Sequence, residues 1–332
     1  MGVMEPPEAQ TEAPRTLIEA LKRQRYQLVG RHSAVKKCRW LHQSLVDGRA
    51  CYKERFYGIK SHRCVQMTPT LTNCTMRCRF CWRVQPDDIS ISLNEMETPR
   101  WDEPEAVVEG CLKAQRRILS GYKKHQRARS GAYTEAIDPK HAAISLAGEP
   151  TIYPHLSGLL KEFHKRGLTT FLVTNGTLPE ALNRLDEEPT QLYVSVYAPD
   201  QTTHSELCRP QIPHAWERFN LTLGLLPSFK CPTVMRLTLV RNINLKDPEG
   251  YGKLVETASP TYVEAKGYVY VGLSRKRLNF DHMPSHDEIR RFAEDLSKQT
   301  GYRIIDESPD SRVVLLSRLD KPIRLGGNQT CP

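Results

Sequence analysis

Residues 65–83 read VQMTPTLTNCTMRCRFCWR, a short apolar run followed at once by Cys74, Cys78 and Cys81. The run reads as a strand and the spacing CxxxCxxC as a loop in which three thiolates can converge on one cluster. Three ligands leave a fourth coordination position open. A structural zinc site is the plainer alternative, but it takes four ligands, usually as paired CxxC, and a fourth is missing from this loop. Upstream, Cys38, Cys51 and Cys64 form a second triplet with twelve residues in each interval. That spacing is too wide for a zinc knuckle, and three buried cysteines packing as small apolar side chains is its competing reading.

Working outward, further apolar runs follow at 141–146 (HAAISL), 169–174 (TTFLVT), 191–196 (QLYVSV), 233–240 (TVMRLTLV) and 262–271 (YVEAKGYVYV). Between them lie helical patterns with legible ends: Pro104 in a first turn, Gly167 as a stop, and Ser285 with Glu288 as a capping box. Strands alternating with helices predict an α/β fold, a parallel sheet of six strands curled into a partial TIM-type (β/α)6 barrel. In such barrels the strand C-terminal ends carry the chemistry, and the cysteine loop follows the first strand directly. The expected divisions are a disordered tail (1–14), an N-terminal extension bearing the second triplet (15–64), the barrel (65–301) and a C-terminal extension (302–332), of which 302–325 reads as strand, turn, strand.

The chain has 332 residues, ten of them cysteine, and 48 Lys+Arg against 38 Asp+Glu give a formal charge of +10. That excess favours a polyanionic partner, nucleic acid first, over a merely well-solvated basic surface only about evenly. No stretch suits a membrane span, and MGVMEPPEAQTEAPR has Pro and Glu where a signal peptide needs an apolar run. A soluble, cytoplasmic monomer with metal or redox cysteines is the expectation. Cys111 shares a helical face with Val107 and Ile118 and reads as core, Cys208 and Cys231 lack partners at metal spacing, and Cys331 adjoins the terminus.

The CxxxCxxC loop, with Phe80 before its last cysteine, resembles the cluster loop of radical S-adenosylmethionine (SAM) enzymes. SLAGEPT (145–151) is similar to that family's GGE segment, with Ala147 in place of the first glycine. The resemblance implies a [4Fe-4S] cluster on Cys74, Cys78 and Cys81 and a SAM site made by Phe80, Ala147, Gly148, Glu149, Thr174, Asn175 and Ser195, with Asn242 and Asn244 as weaker candidates. A tight turn is the bland reading of Asn175 and Gly176.

The whole set of motifs resembles the single-domain tRNA 4-demethylwyosine synthases: the two equal cysteine intervals, FCWR (80–83), ISLAGEPTIYP (144–154), EAKGYVYVGLSRKRL (264–278) and MPSHDEIRRFAEDL (283–296). What this implies is a second [4Fe-4S] cluster on Cys38, Cys51 and Cys64 that holds pyruvate, with Lys53 forming an imine to it. The implied reaction is of a carbon–carbon lyase class: a SAM-derived radical takes hydrogen from the methyl group of N1-methylguanosine-37 of tRNA(Phe), and the carbon radical adds to pyruvate. An external electron donor of flavodoxin or ferredoxin type is also implied. RNA contacts are expected from Lys36, Lys37 and Arg39, from GYKKHQRARSG (121–131), which reads equally as a mobile gripping loop or a solvated insertion, and from Arg275, Lys276 and Arg277. Two other readings stay open on the residues: a radical SAM activase with an electron-relay cluster, and a non-catalytic metal-stabilised RNA-binding module.

Overall fold

A computed structural model describes residues 14–90 and 100–325, except 124, 126, 127 and 130. The tail at 1–13 and Cys331 lie outside the described residues. The chain begins with α1 (Arg15–Arg23), the hairpin β1 (Tyr26–Val29) and β2 (Ser33–Lys36), then α2 (Arg39–Val46) and α3 (Tyr52–Tyr57). Alternation follows: β3 (Cys64–Thr68), α4 (Pro104–Ser120), α5 (Ala132–Ala136), β4 (His141–Ile144), α6 (Leu156–Lys165), β5 (Thr169–Thr174), α7 (Pro179–Asn183) and β6 (Gln191–Val196). Next come α8 (Gln201–Cys208), α9 (Ala215–Leu225), β7 (Thr233–Leu239), α10 (Pro248–Ala258), β8 (Tyr262–Gly267), α11 (His286–Thr300), β9 (Arg303–Ser308) and β10 (Val313–Ser317).

The expected strands all form, and the expected helix ends hold. Pro104 opens α4, Gly167 follows α6 at φ +71°, and Ser285 with Glu288 caps α11 reciprocally. β3 to β8 pair in parallel in sequence order. The N-terminal hairpin and the β10–β9 pair extend the same sheet antiparallel at its two ends. The first expected strand stops at Thr68, because Pro69 has no N–H to give the ladder. The last stops at Gly267 instead of continuing to 271, Tyr268 N–H giving the final ladder bond to Leu239 C=O at 2.8 Å before the chain leaves the sheet.

Side chains alternate across a strand, so register sorts them onto two faces. One face carries Val65, Met67, Ile144, Leu172, Val194, Leu237 and Ala265, packed under Cys111 of α4, Phe163 of α6, Leu223 of α9, Val255 of α10 and Phe292 of α11. Burying each large side chain there stabilises by about 1.5–3 kcal/mol. The other face carries Phe171, Tyr193, Val234 and Tyr262, packed against Tyr52, Phe56 and Tyr57 of α3. On this inner face Arg236 lies level with Glu264, and Lys266 stands two residues beyond. Ionised groups in a barrel interior oppose stability and point to chemistry.

His204 and His141 are buried imidazoles. Among the described residues neither ring nitrogen of His204 has a hydrogen-bond partner, and the ring lies 5.3 Å from Trp216 and 6.0 Å from Phe219. Burial pulls its pKa from 6.5 down to about 4. Burial, aided by Arg63, His62 and Lys140, does the same to His141. As pH falls through 6.5 the unfolded chain gains protons that the folded chain refuses until about pH 4, so stability falls across that window. The expected loss is about 1.4 kcal/mol per pH unit for each histidine. Urea midpoints measured from pH 7.5 to 4.5 should therefore fall less steeply for His204→Phe than for the wild type.

Candidate active site

Residues 69–83 leave the C-terminal end of β3 as a loop whose peptide groups are largely satisfied by protein. Arg77 N–H donates to Cys208 C=O (3.0 Å), Arg79 N–H to Leu207 C=O (2.9 Å), and Gln211 N–H to Thr75 C=O (2.8 Å). The Gln85 amide donates to Cys78 C=O (2.9 Å), and the Arg277 guanidinium to the carbonyls of Arg79 and Cys81. Cys74, Cys78 and Cys81 are thereby brought into one another's electrostatic reach. Cys74 is exposed as a residue, yet loss of water around its thiol pushes the pKa up, and the charges that Cys78, Glu149 and Cys81 would carry add to it.

The segment after β4 is stitched to this loop. Thr68 Oγ1 donates to Ala147 C=O (2.6 Å), and Glu149 N–H to Asn73 C=O (2.8 Å). Gly148 lies between them at φ +64°, where an added Cβ would stand 1.7 Å from Thr70 C=O and 2.5 Å from Asn73 C=O. This glycine is therefore required, whereas Ala147 is simply buried. Glu149 is almost fully enclosed. Its Oε1 accepts from Thr151 N–H (3.1 Å), Thr151 Oγ1 (2.6 Å) and Thr174 Oγ1 (2.6 Å), and its Oε2 from Asn175 N–H (2.8 Å). Burial raises its pKa against the pull of those donors, and Oε2 retains acceptor capacity. Asn175 reaches back to the loop, with Nδ2 at 2.9 Å from Thr75 Oγ1 and 3.9 Å from Cys74 Sγ. Ser195 hydrogen-bonds Tyr197, whose ring lies 4.8 Å from Phe80. Asn244 is different: its Oδ1 accepts from Val240 N–H and its Nδ2 donates to Tyr197 and Thr238 carbonyls, so it fixes the end of β7.

The second triplet is not at a strand's C-terminal end, where the barrel rule places chemistry. Cys64 opens β3, while Cys38 and Cys51 are the N-caps of α2 and α3 on the inner face. The backbone N–H groups of Trp40 and Leu41 point at the Cys38 thiol, and that of Lys53 at Cys51. Burial pushes Cys51 and Cys64 up to about 12, with Cys38 adding to both, so these thiols ionise only in exchange for a cation. Lys53 is held among them, its Nζ 4.1 Å from the Tyr193 ring centroid and 4.6 Å from that of Phe171. Its pKa falls to about 8, chiefly through burial and then through Arg236, against the pull of Glu264, Cys51 and Cys64. Lys266 falls likewise to about 8 by burial and Arg236.

Sequence reasoning missed Tyr197, Arg236, Glu264 and Lys266, because one residue in a strand does not reveal what its inner face meets. Cys208, which has no partner at metal spacing in the sequence, lies in space against the Cys78 thiol and hydrogen-bonds it. Among the described residues no three Cys, His, Asp or Glu side chains converge closely enough for a single metal ion. Ligands of a cubane cluster stand on separate irons and are farther apart, so the CxxxCxxC donor set fits a [4Fe-4S] cluster better than zinc.

Family comparison agrees. Residues 126–255 match the Radical SAM superfamily, and residues 257–318 match the family described as Wyosine base formation. A relative from Pyrococcus abyssi named S-adenosyl-L-methionine-dependent tRNA 4-demethylwyosine synthase is 50% identical over 94% of this chain and 92% of its own length. The chain belongs to the tRNA 4-demethylwyosine synthase family. Its member from Methanocaldococcus jannaschii is 42% identical over 93% of this chain and 98% of its own. The human member is 36% identical, and the match spans 44% of its length. A solved structure titled "Structure of TYW1 with a lysine-pyruvate adduct bound" superposes with a TM-score of 0.83 at 40% identity, covering 92% of this chain and 96% of its own. An archaeal TYW1 crystal structure gives 0.76 at 36% identity, covering 94% and 98%. The fold is thus the radical SAM barrel, and the family's cofactors are SAM and a [4Fe-4S] cluster.

Gly148 and Gly167 share a left-handed backbone but not surroundings, since nothing lies within 4 Å of a Cβ added at Gly167. Gly148→Ala should cost about 3 kcal/mol or more, and Gly167→Ala only about 1 kcal/mol. Thermal melts of the two variants beside the wild type check this ordering.

Proposed function

We propose that this chain condenses N1-methylguanosine-37 of tRNA(Phe) with pyruvate to give 4-demethylwyosine. The observation that carries this reading is an amine, Lys53, held among a second set of three thiols inside the same barrel that bears the CxxxCxxC loop. Cys74, Cys78 and Cys81 would hold one [4Fe-4S] cluster, and Cys38, Cys51 and Cys64 a second. With SAM bound, the first supplies a 5′-deoxyadenosyl radical able to abstract hydrogen from an unactivated methyl group, and the second a Lewis-acidic iron for a small oxo acid. Glu149 would accept from the SAM amino group through Oε2, while Thr174, Asn175, Ser195 and Phe80 line the surrounding wall.

The protein's own contribution is to prepare the co-substrate. Burial keeps an accessible fraction of Lys53 neutral near physiological pH, and a neutral amine attacks a ketone. Arg236 Nη2 is buried without a hydrogen-bond partner among the described residues and is available to a carboxylate. The inner face therefore suits a small anionic carbonyl compound, in keeping with the lysine–pyruvate adduct named for the solved relative. Residues 15–64 would serve as the extension that brings the second triplet and Lys53 to the barrel. Electrons would come from a separate flavodoxin- or ferredoxin-type protein. Among the described residues no helix is long and apolar enough to cross a membrane.

Anaerobic incubation of reduced protein with SAM, labelled pyruvate and methylated tRNA should yield a tricyclic base retaining two pyruvate carbons. No pyruvate-dependent product would end the proposal. Reconstituted wild type should contain roughly eight irons per chain, and the Cys38→Ala, Cys51→Ala, Cys64→Ala triple variant roughly four. Lys53→Ala should keep both clusters yet lose the borohydride-trapped pyruvate adduct seen by intact-mass measurement.

A further inference from the structure

Where β8 leaves the sheet at Gly267, the chain forms a surface segment, 268–283, that the proposed chemistry does not use. Tyr268 and Leu278 anchor it in the core, while three of its apolar side chains face solvent: Phe280 is 63% exposed, Val271 47% and Val269 37%. Phe280 stands edge-on to Tyr270 at 6.0 Å, and the Arg275 guanidinium lies 5.2 Å from the Tyr270 ring. Arg275 and Lys276 are exposed beside them. Arg277, expected in the same basic patch, is instead turned inward to Asp88 (2.6 Å) and to the carbonyls of the cysteine loop.

The segment is fixed to the radical-forming end of the barrel. Leu273 N–H donates to Trp82 C=O at 3.0 Å. Gly272 lies so close that an added Cβ would stand 2.4 Å from that carbonyl. Tyr270 packs in the same cluster as Phe80, Cys81 and Cys78. An exposed phenylalanine against a half-buried tyrosine, with a cationic rim, is an arrangement that stacks an unpaired base while holding its phosphates. Two nearby acidic groups are already engaged, Asp88 with Arg277 and Glu288 with Arg241, while the exposed Asp281 carboxylate beside Phe280 lies within the electrostatic reach of Arg241.

We propose that Phe280 and Tyr270, rimmed by Arg275 and Lys276, form a shelf that stacks an unpaired nucleotide adjoining the modified base of the tRNA. This rests on the tRNA reading above. Stacking a neighbour here would pull the loop open and hold the target base toward Cys74, Cys78 and Cys81 without any contact to that base. Stacking on a ring face accepts any base, so the shelf would favour an unpaired strand over a particular sequence.

The test uses the reconstituted full chain and a synthetic anticodon stem-loop RNA carrying the methylated guanosine, with binding read by fluorescence anisotropy at fixed salt. Phe280→Ala should melt like the wild type and weaken binding about tenfold, and Phe280→Trp should restore it. Stem-loops with an abasic site on either side of the methylated guanosine should show an equal loss with wild-type protein on one side only, and no further loss with Phe280→Ala. Additive losses, or unchanged affinity of a well-folded Phe280→Ala variant, would overturn the shelf. So would a Phe280→Ala variant that binds RNA normally but is reduced more slowly by a flavodoxin, which would make the patch a protein-docking site. Wild-type protein that ignores the stem-loop altogether would remove the tRNA reading itself, a result distinct from indifference to Phe280.

Discussion

Glu264 holds the inner face together. It is wholly buried, and its carboxylate accepts from Tyr52 OH (3.1 Å), Tyr57 OH (2.9 Å) and Arg236 Nε (3.0 Å). Burying a carboxylate and a guanidinium costs several kcal/mol per ion, offset only when each remaining lone pair and proton finds a partner. Here the partners come from α3 on one side and from β7 on the other. The ion pair therefore ties a six-residue helix to the barrel wall, and that helix carries both Cys51 and Lys53. Arg236 in turn lies 4.3 Å from the Tyr193 ring that Lys53 also touches, so the cation which lowers the lysine's proton affinity is fixed by the carboxylate that anchors the lysine's helix.

A division of labour follows along the barrel axis. At the C-terminal ends of the strands, the segments after β3, β4 and β5 are cross-linked by Glu149, Asn175 and Thr68 into a nearly pre-formed cradle. At the N-terminal end of β3, Cys64 joins cysteines that begin two short helices. The first site is built by backbone carbonyls and hydroxyls, the second by buried charge.

Much of this was legible from the sequence because it rests on local rules. The strand-to-cysteine-loop transition, Pro104, Gly167 and the Ser285–Glu288 box each act over a few residues, and all appear where expected. The hairpin at 26–36 was not legible, since its strands are four residues each and neither alternates with a helix. Nor could Arg236 or Glu264 be singled out, because their partners lie at least 28 residues away along the chain. The loop at 121–131 also reads differently in space. Its Tyr122 is buried and accepts from Lys37 at 2.9 Å, and Arg129 N–H donates to Leu45 C=O at 2.9 Å, so described parts of it are docked on α2. Lys36 is similarly engaged over Tyr26, at 4.4 Å, which leaves Arg39 as the exposed member of its patch.

β3 is only five residues long, and one cysteine triplet ends where it begins while the other starts just past its end. Because side chains on a strand alternate with a period of two, adding or deleting one residue within β3 would swing Cys64 to the helix-covered face while leaving CxxxCxxC intact. The interval between Cys64 and Cys74 thus acts as a ruler. A change of one residue there would turn Cys64 away from Cys38, Cys51 and Lys53 without altering the loop that follows β3.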